Sequence, residues 1–239
     1  MSGRIELKYL VDWRQREILL AAFRPYLEAA PYTDELASYQ ILSLYYDTPT
    51  LLFYDEKCDG EMLRTKVRLR GYGTQLEKMS PCFLEIKRKV DSRILKYRKK
   101  YDRFEPSLLE PASWHLEEEP QAAQLAAALY RYRLRPAVQI LYRRETYETP
   151  FVRTLRLAFD SQLLALYPGQ RFERSLYDDD RHRCMADTQF IFEIKSDGRL
   201  PPWIFEGIRA AGIVQVAISK YVLGVDKLGL ARKEIGVYV

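Results

Sequence analysis

At 239 residues the chain suits one large domain, and its 47% hydrophobic content is enough to bury a core. Charged residues make up 30% of it and the net charge is +5, a total that does not by itself call for a polyanionic partner. Three cysteines (Cys58, Cys82, Cys184) and two histidines (His115, His182), all scattered, argue against a disulfide framework or a zinc centre and leave a carboxylate-held hard cation as the metal class.

The opening MSGRIELKYLVDWRQ lacks the apolar core of a signal peptide, and no apolar run approaches a membrane-spanning length. The expectation is a soluble, cytoplasmic protein, with a membrane-protein partner left open. In chain order, RIELKYLV predicts a strand over 3–11, and Asp12 caps a helical pattern that continues to residue 30. A strand over 39–48 and a short helix entered at Pro49 come next. Strands follow over 62–72, 82–90 and 93–102, the last two joined as a hairpin through VDSR. Residues 105–135 read as helix and loop, with 121–134 the clearest helix. Strand patterns return at 137–148, 154–163, 163–172 and 189–197, and two helices close the chain at 201–212 and 217–230. No repeat or long linker interrupts this order, so residues 1–239 read as one domain of the α+β class.

Side chains alternate faces along a strand, and applying that rule to every strand collects charge on one side. Arg4, Glu6 and Lys8 share a face against Ile5, Leu7, Tyr9 and Val11. Arg64, Lys66, Arg68 and Arg70 oppose Thr65, Val67 and Leu69. Glu85, Lys87 and Lys89 oppose Leu84 and Ile86, while Lys96, Arg98 and Lys100 oppose Leu95, Tyr97 and Tyr101. Arg156 and Asp160 oppose Leu155, Leu157 and Phe159; Glu193 and Lys195 oppose Phe190, Phe192 and Ile194; and Arg144 aligns with Tyr142. A wet antiparallel face explains any one strand. Across several strands the cations outnumber Glu6, Glu85, Asp160 and Glu193, and like charges opposed across a sheet repel unless an anion sits between them. Were the sheet to close, that face would be the interior of a barrel.

Arginine and lysine grip phosphate oxygens, and a carboxylate among them repels such a ligand unless a divalent ion bridges the two. Glu193, with Glu85 and Glu6, fits that role; internal salt-bridge partnership is the alternative. No Gly-rich phosphate loop and no nucleophile elbow is present. The 18 tyrosines raise base stacking on single strands, but Tyr9, Tyr97 and Tyr101 fall on apolar faces, where packing explains them, and no nucleic acid is expected as a partner.

RIELKYLV, KVRLRGYG, FLEIKRK, KYR, YRRETY, RLAFDSQL, FIFEIKSDGRLPPWI and SKYVLG, in this order, resemble the VTC domain. This is the polyphosphate polymerase domain within the triphosphate tunnel metalloenzyme (CYTH-like) superfamily. The resemblance spans nearly the whole chain and implies a closed eight-stranded antiparallel β-barrel with helices outside. It implies that Lys8, Arg68, Arg70, Lys87, Lys96, Arg98, Arg144, Arg156, Lys195 and Lys220 bind phosphate. It implies that Glu193, Glu85 and Glu6 serve a Mn²⁺ or Mg²⁺ ion. Lys8, Arg68, Arg70, Arg144, Arg156 and Glu193 would form the catalytic set, with ATP and polyphosphate or another triphosphate as ligands. Tunnel triphosphatases usually carry E-x-E-x-K in the first strand; RIELK has Arg4 at the first acidic position, which favours the polymerase branch. A triphosphatase using the same tunnel and a non-catalytic polyanion-binding module are the rival readings.

Overall fold

The computed structural model describes residues 5–29, 38–90, 93–118, 120, 122–150, 152 and 154–231. Arg4, on which the first-strand departure rests, lies outside the described residues. The strands are β1 (Ile5–Asp12), β2 (Glu28–Ala29), β3 (Ser38–Asp47), β4 (Arg64–Tyr72), β5 (Cys82–Val90), β6 (Arg93–Tyr101), β7 (Arg135–Glu148), β8 (Arg156–Leu166) and β9 (Gln189–Ser196). The helices are α1 (Trp13–Phe23), α2 (Leu52–Cys58), α3 (Ala123–Tyr130), α4 (Pro202–Ala210) and α5 (Lys220–Lys227). The expected α+β class holds. The strands form one antiparallel sheet in the order β1-β9-β8-β7-β3-β4-β5-β6, with the two-residue β2 on β7. Among the described residues no helix is long and apolar enough to cross a membrane.

Two expectations change in the structure. The first helix stops at Phe23, not at residue 30, and a 3-10 turn over Arg24–Tyr26 follows. Pro25 accounts for it, since it has no amide N–H to continue the helical ladder and its ring crowds the carbonyl one turn back. The start is as expected: the Asp12 carboxylate accepts from the Gln15 amide at 2.8 Å, and the Gln15 side chain accepts from the Asp12 amide at 3.0 Å. The strands read over 154–163 and 163–172 are a single strand, β8, ending at Leu166. Gln162 sits at φ +52°, so a one-residue left-handed kink within the strand replaces the expected break.

The chain divides into two compact units, one of Met1–Gln40, Tyr142–Leu163 and Met185–Ser219, the other of Ile41–Leu141, Leu164–Cys184 and Lys220–Val239. In the first unit the apolar faces of β1, β8 and β9 bury Tyr9, Val11, Leu157, Phe159, Phe192 and Ile194 against Leu19 and Phe23 of α1 and Ile204 of α4. Phe159 stacks on Phe192 at 4.6 Å between centroids, and burying each ring contributes about 1.5–3 kcal/mol. In the second unit Leu44, Tyr46, Val67, Leu69, Leu84, Ile86 and Tyr97 form a separate core with Trp114. Tyr46 and Trp114 both donate to the Leu108 carbonyl, at 2.7 and 3.0 Å, so their polar atoms are satisfied inside the core. In each unit the second sheet face carries the charge.

Candidate functional site

Register decides which charged side chains meet. In the first unit β1, β9 and β8 align Lys8 with Glu193 and Ala158, and Glu6 with Lys195 and Arg156. The Glu193 carboxylate is the hub. Its Oε2 accepts from Lys195 Nζ at 2.7 Å and from Arg144 Nη2 at 3.1 Å, and its Oε1 lies 3.5 Å from Lys8 Nζ. Lys8 Nζ is also 3.4 Å from Glu6 Oε1, so two carboxylates flank one ammonium. Arg144 forks onto Asp160, with Nε to Oδ1 at 2.5 Å and Nη2 to Oδ2 at 2.6 Å. Burial works against the Arg144 charge, but Asp160, Tyr142 and Glu193 more than offset it and hold the guanidinium charged far beyond its ordinary range. For Lys195 burial wins: it lowers the pKa, with Arg144 acting in the same direction and Glu193 and Glu6 opposing. Arg156 joins the row beside Lys195, yet its side chain is 64% exposed and paired with Glu148 at 3.2 Å.

In the second unit β4, β5 and β6 place Lys66, Lys87 and Lys96 side by side, three ammonium-bearing residues directly opposed across three strands. The next row is Tyr45, Arg68, Glu85 and Arg98. Glu85 Oε2 accepts from Arg68 Nε at 2.8 Å, Glu85 Oε1 accepts from Arg70 Nη2 at 2.9 Å, and Arg98 Nε lies 3.5 Å away. Arg98 also lies over the Phe83 ring at 4.0 Å. Burial would raise the Glu85 pKa, but Arg68, Arg70 and Arg98 overcome it and pull the carboxyl down to about 2. Lys220, at the start of α5, is buried, as is Tyr221 beside it, whose hydroxyl donates to Asp47. Asp47 also accepts the amides of Thr48, Phe53 and Tyr54, which ties α2 and α5 to the end of β3. Gly224 lets α5 lie close on Val138 and Ile140 of β7, since a Cβ there would collide with Ile140.

On the charged sheet faces the residues expected from the sequence fall into two groups, while Lys220 lies on α5 and Arg156 turns out toward Glu148. Lys8, Glu6, Glu193, Lys195 and Arg144 form one group, and Arg68, Arg70, Glu85 and Arg98 form another. Among the described residues no three Asp, Glu, His or Cys side chains gather as a ready metal cage. Glu6 and Glu193, turned toward one cation position, still fit a hard divalent ion that fills its remaining positions with phosphate oxygens and water. Glu85 is engaged by Arg68 and Arg70. Two residues escaped the sequence reading as members of these groups. Asp160 was visible on the charged face, but nothing in the pattern shows that it is buried and bidentate to Arg144. Tyr45 shares a face with Ser43, a period-two signal hidden because tyrosine reads as apolar.

The VTC domain family model matches residues 3–229. A search of curated proteins finds no match. Among solved structures, a candidate adenylate cyclase from Bacillus halodurans is similar at a TM-score of 0.51 and 14% identity, over 92% of this chain and 96% of that one. The PH1819 protein from Pyrococcus horikoshii OT3 aligns at a TM-score of 0.45 and 14% identity, over 94% of this chain and 99% of that one. The first likeness speaks for the fold. The family follows from the match over nearly the whole chain: this protein belongs to the VTC domain family.

Proposed function

We propose that the protein is a metal-dependent polyphosphate polymerase that moves the γ-phosphoryl group of ATP onto a growing polyphosphate chain, within a sheet closed so that the charged face lines a tunnel. The observation that carries the reading is the row Lys66, Lys87 and Lys96. Ammonium groups carried side by side on three adjacent strands, next to the guanidinium groups of Arg68 and Arg98, present a repeating positive charge to an anion laid across them. A phosphate chain has the matching periodic charge.

In the reaction a terminal oxygen of the acceptor chain forms a bond to the γ-phosphorus while the β–γ bridging bond breaks and ADP leaves. Such transfer is mostly positioning and charge neutralisation. Arg68 and Arg70, spread by Glu85, orient phosphate oxygens, with Lys87, Lys96, Arg98 and Lys220 as further contacts. Arg144, held rigid by Asp160, and Lys8, Lys195 and Arg156 neutralise charge that grows on the transferring group. Glu193 and Glu6 would hold a divalent ion, Mn²⁺ or Mg²⁺, which would supply charge neutralisation to the phosphates. The acceptor is already anionic, so no general base is required of the chain.

The test is to incubate the purified protein with ATP and Mn²⁺ and resolve the products by gel. Long-chain polyphosphate with ADP is expected. Orthophosphate without polymer would instead assign a triphosphatase, and no turnover with retained anion binding would assign a binding module. Glu193→Ala should abolish turnover yet keep or tighten tripolyphosphate binding, because it removes a carboxylate from among Lys8, Arg144 and Lys195.

A further inference from the structure

Tyr45 sits on the charged face of β3 and is only 1% exposed. A buried tyrosine hydroxyl ordinarily donates to an oxygen. Its neighbour Tyr46, on the opposite face, does so to Leu108, and burial pushes its pKa well up. Tyr221 does the same with Asp47, and its pKa also rises. Tyr45 is the reverse case. The partner of its hydroxyl is Arg68 Nη1 at 3.3 Å, a group that can only donate, so the Tyr45 oxygen is an acceptor. Lys66 Nζ stands 5.0 Å over the same ring, and the Tyr221 ring packs with its centroid 5.2 Å away. Lys66 and Arg68 of β4 and Lys220 of α5, all three cations, act on Tyr45, while Glu85 of β5 pairs with Arg68 and Asp47 of β3 with Tyr221.

We infer that Tyr45 is a positioning residue of the phosphate-binding face, its oxygen tethering Arg68 and its ring carrying Lys66, and that it takes up a proton from solvent when a phosphate chain settles on these cations. The inference rests on the phosphate-chain reading above. Burial favours the neutral phenol, but Lys66, Arg68 and Lys220 outweigh it and bring the ionisation down to about 7. A phenolate therefore partly neutralises these cations when no phosphate is bound. Phosphate oxygens and the phenolate compete for one set of cations, so the incoming anion drives the phenolate to phenol, whose O–H becomes a donor. The balance is one proton gained from the buffer per ligand bound, with no bond made or broken elsewhere. The sign follows: the higher the pH above neutrality, the more phenolate must be reprotonated, and the weaker the binding.

The probe is inorganic tripolyphosphate without added metal, titrated calorimetrically into the 239-residue chain and into its Tyr45→Phe variant in buffers of differing ionisation enthalpy. Phe keeps both ring contacts and deletes one oxygen. Wild-type affinity should fall about twentyfold more than that of the variant between about pH 6.5 and 8.5, with up to one extra proton taken up at the upper end. Ligand titration is common to both proteins and cancels. A near-ultraviolet tyrosinate band that grows in near neutral pH and fades on ligand addition is the second measurement; it needs no variant. Wild-type protein that binds tripolyphosphate with the same proton uptake and pH slope as Tyr45→Phe overturns this inference alone. Wild-type protein that binds no tripolyphosphate overturns the phosphate-chain reading and this inference with it.

Discussion

Glu85 concentrates the electrostatics of the second unit in one carboxylate. Its pKa drops from the ordinary 4.5 to about 2 because Arg68 and Arg70 favour the charged form more than burial opposes it. A depressed carboxyl stabilises the fold fully above its unfolded value, and that stabilisation disappears as pH falls from about 4.5 toward 2. Glu85→Gln mimics the protonated state at every pH. Wild type should therefore exceed the variant by on the order of 2–3 kcal/mol at neutral pH, with the gap closing in acid. Urea unfolding at several pH values measures it, and a gap that stays constant would show that the pairing is not what holds Glu85 in place. Much of this residue-scale layout was legible beforehand. The period of two in Arg64–Arg70 and in Leu84–Lys87 assigns faces without any knowledge of register. Partnerships were not legible: that Arg144 grips Asp160 while Arg156 turns out toward Glu148 depends on strand neighbours and on how far a long side chain reaches.

At the scale of elements, close helix packing is set by glycines at the contact. Gly207 of α4 lies against the Phe23 ring of α1, and a Cβ there would overlap that ring. Phe23 has no room to yield, being fully buried between Trp203 at 5.3 Å and Phe192 at 6.1 Å. Ala would gain up to about 1 kcal/mol in helix propensity, while overpacking a tight core costs about 1–3 kcal/mol. The rigid ring decides the sign, so Gly207→Ala should be net destabilising by about 1–2 kcal/mol in urea unfolding. A neutral or stabilised variant would mean that α4 can slide. Such a contact escapes sequence reading because a glycine inside a helix carries no mark of what it faces. Helix ends are more legible: Asp12 and Gln15 announce the start of α1, and Pro25 explains its stop once Phe23 is known to be its last turn.

For the whole molecule, the central question is whether the cationic faces are built for a ligand or merely tolerated by the fold, and the two alternatives predict different outcomes. A row such as Lys66, Lys87 and Lys96 that served stability would make the fold weaker when trimmed. Trimming a row that serves an anion leaves the ligand-free fold about as stable, since an exposed lysine such as Lys87 contributes only about 0–1 kcal/mol to it. Ligand-linked stability runs the other way. An anion that binds only the native state adds about 2.7 kcal/mol at a hundredfold excess over Kd. For a chain of this size that raises Tm by about 5–10 °C. Lys87→Met is thus expected to leave the ligand-free Tm nearly unchanged, and to cut the rise produced by tripolyphosphate. Thermal unfolding with and without tripolyphosphate reads both effects in one experiment. Sulfate at matched ionic strength controls for screening, which damps interactions between exposed charges farther apart than about 10 Å at ordinary salt. A lower ligand-free Tm with an undiminished ligand shift would make Lys87 a structural cation. Equal protection by sulfate would reduce the row to a general anion effect.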